Sequence, residues 1–135
     1  MKKIFAALLV APLLFLASCG GNPSEQILGK WTFSDITFPN GTPKDATPEN
    51  IAQMKEMFKS MSYNFTDKTN FSFVSGMSDE PMKGTYKITD DKLFLTIKGT
   101  TQEFKVNELT SSKLVLEISD KDQKADERFE MAFTK

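Results

Sequence analysis

The chain has 135 residues, with 17 basic and 18 acidic side chains, no His and a single Cys. That length supports one modest core, and the slightly acidic balance lacks the clustered basic face that nucleic-acid binding needs. One Cys makes no internal disulfide, and without His the usual metal and acid–base constellations are missing.

The first element is a leader. Lys2 and Lys3 form a basic start, and Ile4 to Leu16 is an apolar run of 13 residues interrupted only by Pro12. A bilayer core takes about 20 residues to cross, so the run reads as the apolar centre of a secretory signal. Leu16-Ala17-Ser18-Cys19 then resembles the lipobox of bacterial lipoproteins. The resemblance implies cleavage after Ser18, a diacylglycerol on the Cys19 thiol and a palmitate-type acyl chain on the freed amine. Several acyl chains anchor stably where one is marginal. The expected divisions are a signal peptide at 1–18, the lipidated Cys19 with a flexible, Gly-rich tether at 19–26, and a folded domain at 27–135. Without the leader, 117 residues remain, with 15 basic against 18 acidic groups. No Asp follows Cys19. By resemblance to the sorting rule of enteric bacteria, this implies the outer membrane, facing the periplasm. Glu25 is the only acid nearby, and surface exposure stays open as the other outcome.

From Ile27 onward, short segments alternate apolar and polar residues between turn signals. The first strand covers Ile27 to Phe38, with Trp31 and Phe33 on one face and Thr32 and Ser34 on the other. A helix is expected next, from about Pro48 to Ser60. Thr47 serves as N-cap, Pro48 as first helical residue and Glu49 as an acid on the dipole. Ile51, Met54, Met57, Phe58 and Met61 recur at helical spacing as its inward face, with Lys55, Glu56 and Lys59 opposite.

Strand chemistry then resumes. Tyr63 and Phe65 precede the turn Thr66 to Asn70, and Phe71 and Phe73 end at Ser75-Gly76. Met82, Gly84, Tyr86 and Ile88 share one face of the fourth strand. Asp90-Asp91 turns into Leu93, Leu95 and Ile97. Phe104, Val106 and Leu109 follow, then Leu114, Leu116 and Ile118. Asp120 to Glu127 forms a charged loop, and Phe129, Met131 and Phe133 close the chain. By parity Phe94 and Val115 point outward as an apolar contact patch.

The fold class is therefore all-β: eight short antiparallel strands paired up-and-down, with one helix inserted between strands 1 and 2. Closure into a barrel removes exposed edges; a two-sheet sandwich from the same strands is the alternative. The outward positions include Lys83, Lys87, Lys92, Lys98, Lys105, Lys113, Glu117 and Arg128. A membrane-spanning barrel needs an apolar outer band and a polar lumen, the reverse of this pattern.

Leu28-Gly29-Lys30-Trp31 matches the Gly-x-Trp signature of the first lipocalin strand. The series Gly84-Thr85-Tyr86 through Leu93-Phe94-Leu95 to Glu108-Leu109-Thr110 and Leu114-Val115-Leu116 resembles lipocalin-like domains of small bacterial lipoproteins. The resemblance covers residues 27 to 134. It implies a monomeric barrel that binds a small hydrophobic ligand. Ligand-carrying lipocalins often add a C-terminal helix and disulfides, which this sequence does not provide. Its helix stands closer to the lid position of fatty-acid-binding proteins.

Candidate ligand-lining residues are Trp31, Phe33, Met57, Phe58, Met61, Phe73, Tyr86, Phe104 and Phe129. Each has a plainer role beside it. Trp31 packs the closed end, the aromatics fill an eight-stranded interior only just wide enough for side chains, and the Met face is a core helix. Enzyme chemistry finds no support. There is no Ser-x-x-Lys run in a helical setting, and Asp79-Glu80 and Asp90-Asp91 sit at turns. Asp120, Asp122 and Asp126 lack a calcium-loop spacing, and no phosphate loop is present. No cofactor or metal is expected. Two functions remain: a membrane-anchored carrier of a small hydrophobic molecule, or a cell-envelope interaction or inhibitor module with a filled core that works through loops Pro39 to Asp45 and Ser75 to Met82.

Overall fold

The computed structural model describes residues 22–119 and 128–135. The leader, Cys19 and the charged segment 120–127 lie outside the described residues. The elements are α1 (Pro23–Gln26), β1 (Gly29–Thr37), α2 (Pro48–Phe58), β2 (Ser62–Phe65), β3 (Asn70–Val74), β4 (Met82–Ile88), β5 (Lys92–Ile97), β6 (Thr100–Leu109), β7 (Lys113–Ile118) and β8 (Glu130–Thr134). Each strand pairs antiparallel with the next in sequence, and β8 closes on β1, so the sheet is a closed barrel in the order β1 to β8. Closure excludes the two-sheet sandwich and leaves no edge strand to template aggregation.

Local chemistry explains the connections. Ile97 pairs with Thr100, which leaves Lys98 and Gly99 as a two-residue loop. Their φ values of 50° and 79° suit the mirror-image turn whose twist matches a hairpin. Thr47 caps α2 by accepting from the Asn50 N–H at 3.2 Å, with Pro48 opening the helix. In the β2–β3 turn, the Asp67 carboxylate accepts from the backbone N–H groups of Thr69 and Asn70, both at 2.8 Å.

Two extra residues re-aim the side chains. The β1–β8 register shifts between Phe33 and Asp35, so Ser34 is a bulge residue and the next inward side chain after Phe33 is Ile36. The β6–β7 register shifts between Val106 and Glu108. Asn107 absorbs that shift, which turns Leu109 back toward the interior. Asn107 also bridges two carboxylates that face each other across β7 and β8. Its Nδ2 donates to Glu117 Oε2 at 3.2 Å and to Glu130 Oε1 at 2.7 Å. Like charges directly opposite are otherwise destabilising.

The core runs through the barrel. Trp31, Phe65, Phe71, Leu93, Leu114, Leu116 and Phe133 are all 2% exposed or less. Among the described residues every core residue lies between Ile27 and Phe133, so a chain starting at residue 20 keeps all of them. Gly84 adjoins Phe71, Thr96 and Ile97, and the Phe71 ring takes the space a side chain there would need. The outer wall carries the exposed Lys83, Lys87, Lys92, Lys98, Lys105 and Lys113.

Five expectations need correction. Residues 22–26, expected as flexible tether, contain one helical turn capped by Asn22. The helix ends at Phe58 rather than Ser60, and Met57 is 52% exposed instead of facing inward. Met57 lies at the edge of that apolar face, Met54 and Phe58 are the helix residues partly buried against the core, and Met61 stands beyond the helix end. Val115 points outward but is buried. Its cross-strand neighbours are Glu108 and Ala132, and the Glu108–Lys113 ion pair beside it lays long side chains over the small space. Met82, expected on an inward face, is partly exposed at the strand's start.

Candidate functional site

The two ends of the barrel differ in construction. At one end the β1 start, the β2–β3 turn and the chain terminus converge on Trp31. Its Nε1 donates to the Ile27 carbonyl at 2.7 Å, and Ile27 is itself fully buried. Lys135 Nζ lies 4.8 Å from the Trp31 ring centroid and donates to the Gln26 carbonyl, a cation–π contact. This end is plugged. Above it, Tyr86 donates from its hydroxyl to the Asp67 carbonyl at 2.6 Å.

The middle is an aromatic stack. Tyr63 lies 4.8 Å from Phe73 and 5.3 Å from Phe133, while Phe65 meets Tyr86 edge-on at 4.8 Å. Such pairs add to plain burial. Phe33 contacts both Phe133 and Phe58 edge-on, at 6.1 and 5.8 Å, which brings α2 against the β1 side of the other end. An ion pair, Lys55 Nζ to Asp35 Oδ1 at 2.9 Å, holds the helix to the bulge. That bond, with the Ile36 N–H, draws the Asp35 carboxyl below its ordinary range. Gly76, in the β3–β4 loop, packs on the Met57 carbonyl with no room for a Cβ.

The helix leaves the β5–β6 side of that mouth unlined. There a cavity of about 220 Å³ opens, walled by Tyr63, Phe73, Leu95, Ile97, Thr100, Gln102 and Phe104. Leu95 faces Gln102 and Ile97 faces Thr100 across the ladder. The lining side chains carry no charge. Thr100 and Gln102 are exposed and mark the edge open to water. The volume is below the range of drug-sized pockets, about 300–1,000 Å³, yet above the ~150 Å³ that suffices for benzene. Burial among these rings pushes the Tyr63 phenol well above the ordinary tyrosine range, so it stays a neutral hydroxyl.

Of the candidates from sequence, Phe73 and Phe104 meet in this cavity. Trp31 sits in the plug, Tyr86 bonds the β2–β3 turn, and Phe33 and Phe58 join helix to barrel. Phe129 lies against Phe38 at 6.5 Å. Met61 is buried where its carbonyl accepts from the Phe33 N–H, and Met57 is on the surface. None of these seven belongs to the cavity wall. Sequence reasoning misses Thr100 and Gln102 because its sixth strand begins at Phe104; counting back by twos from Phe104 finds both. Tyr63, Leu95 and Ile97 are inward by alternation, but nothing in the pattern marks them as lining.

The comparisons agree with this architecture. A lipocalin-like protein from Bacteroides uniformis is 19% identical, with 82% of this chain and 98% of that one covered and a TM-score of 0.53. A protein from Bacteroides eggerthii is 20% identical, covering 80% and 98%, with a TM-score of 0.51. A DUF4847 family protein from Bacteroides vulgatus is 14% identical, covering 82% and 95%, at 0.52. At these identities the likeness concerns the fold alone. A search of curated proteins found no match. The family model of the lipocalin-like domain matches residues 27–116, from the residue that caps the plug to the seventh strand. The chain belongs to the lipocalin-like domain family.

Proposed function

We propose that this chain is a lipid-anchored lipoprotein whose barrel holds a small hydrophobic molecule at the outer membrane, facing the periplasm. The single observation that carries the ligand reading is the apolar cavity at the unplugged end of an otherwise filled barrel. The anchor rests on the leader and on Cys19, in a lipobox-like setting. A binding role fits better than catalysis, since the cavity wall offers a phenol, a hydroxyl and an amide but no acid–base pair. The domain acts as a monomer.

Two experiments test this. Expressed from its own leader in a bacterium, the protein should partition with membranes and yield an acylated N-terminal peptide beginning at Cys19, and Cys19→Ala should abolish both. Residues 20–135, purified without detergent from cells and extracted into organic solvent, should release one small lipophile in near-stoichiometric amount. An empty extract, with no thermal stabilisation by any apolar compound tried, would count against the ligand.

A second reading has its own observation. Met77 is 85% exposed, Met57 52% and Met82 38%, and Met57 and Met77 adjoin the contact of Gly76 with α2. Exposed methionines suit an adaptable protein contact, as an envelope interaction or inhibitor module would need. Photocrosslinkers at Met77 in intact cells should then trap a defined envelope protein, whereas the carrier reading predicts no adduct.

A further inference from the structure

The cavity wall has one polar atom in an unusual position. Tyr63 is 6% exposed and packed by Phe65, Phe71, Phe73 and Phe133. Among the described residues nothing hydrogen-bonds its hydroxyl, although Tyr86, the other tyrosine, donates to a backbone carbonyl. Among the same residues no unpartnered side-chain oxygen or nitrogen is sealed from open space. The Tyr63 oxygen therefore borders open space, and the space its side chain lines is the cavity. Water reaches an oxygen so placed, and a molecule that displaces that water must reproduce its hydrogen bond or lose affinity. Most buried tyrosine hydroxyls are bonded. This one is positioned to be satisfied by a molecule that enters.

We infer that the cavity takes a neutral, ring-sized molecule bearing one hydrogen-bond acceptor, with its apolar body between Phe73 and Phe104 and its acceptor on the Tyr63 hydroxyl. The inference rests on the proposed carrier role and specifies its ligand class. Size comes from the volume: about 220 Å³ exceeds the ~150 Å³ that holds benzene, which leaves room for a ring with one short substituent. Neutrality comes from the wall. No Lys or Arg lines it, and an anion moved into apolar surroundings without a counter-charge is heavily penalised. A long-chain fatty acid fails on size, since its chain exceeds the cavity, whereas benzoate is small enough to enter whole and would place its carboxylate among side chains that offer no cation. The phenol stays protonated and so donates. A carbonyl or ether oxygen on the ligand is the partner that takes up this O–H.

The test uses residues 20–135 and four probes in calorimetric titrations: acetophenone, its apolar isostere α-methylstyrene, benzoate and palmitate. Acetophenone should bind the wild-type chain about threefold to tenfold more tightly than α-methylstyrene, the effect of one hydrogen bond. Tyr63→Phe should erase that difference while leaving α-methylstyrene binding unchanged, with Trp31 emission confirming the fold. Benzoate should not bind. Should the variant fail to fold, the wild-type comparison of the two isosteres still decides. Equal affinity of the isosteres, or benzoate binding as well as acetophenone, overturns the inference. Palmitate binding best would overturn it while leaving a carrier role standing. No binding by any probe, together with an empty solvent extract, would remove both.

Discussion

Asp67 shows how much a single turn residue organises. Its carboxylate accepts from the Asn70 side chain and from the backbone of Thr69 and Asn70. These bonds, the Asn70 amide first among them, draw its pKa from 3.8 to about 2. The unfolded chain therefore binds this proton more readily than the folded one, and stability falls as pH drops from about 4 through about 2. Carbon-detected titration should find Asp67 still ionised at pH 3, and Asp67→Ala should flatten that part of the stability curve. Gly84 is critical for a steric reason. A Cβ there would press on the Thr96 carbonyl and come within 2.8 Å of Phe71 Cε1. Gly84→Ala should destabilise by about 1–3 kcal/mol, as overpacking does, read by urea denaturation with Trp31 emission. Gly84 is legible in the sequence as a small inward residue. That its space belongs to Phe71 is not, because ring placement depends on a cross-strand partner.

Among the elements, period-two alternation makes all eight strands legible, and the Thr47-Pro48-Glu49 cap makes the helix start legible. The bulges are not. Neither Ser34 nor Asn107 differs in type from an ordinary outward strand residue, yet each reverses parity for the residues after it. The inward placement of Leu109 is readable only from its apolar character, against strict alternation. The helix is misjudged at Met57 because a periodic apolar face does not say how much of it finds a partner. Its hold on the barrel comes from Phe58 on Phe33, the Lys55–Asp35 pair and the Gly76 contact. Both charged side chains of that pair are about half exposed, so Lys55→Ala should change global stability by less than about 1 kcal/mol. Gly76→Ala should act on the element instead, since its Cβ would collide with the Met57 carbonyl. Faster amide exchange confined to Pro48–Phe58 and the adjoining loop would show it; unchanged exchange would mean the loop yields at no cost.

For the whole molecule, the barrel is built unequally along its axis: a plug at one end, stacked rings in the middle and a small apolar space at the other end beside the helix. Trp31→Ala should cost about 3–5 kcal/mol, the usual loss for a large buried aromatic, because it removes the ring and leaves the Ile27 carbonyl and Lys135 without it. The plug is legible through its Gly-x-Trp pattern and the aromatic lining through alternation. The cavity is not, since its position is set by the helix crossing one side of the mouth and by polar Thr100 and Gln102 replacing bulky side chains on the other. The most direct measurement is a side-chain carbon NMR titration of residues 20–135 with a small apolar probe. Shifts should concentrate on Leu95, Ile97 and the rings of Tyr63, Phe73 and Phe104, with Ile27 and Leu114 unmoved. An unperturbed spectrum at saturating probe, or shifts limited to Met57, Met77 and Met82, would contradict a ligand held inside the barrel.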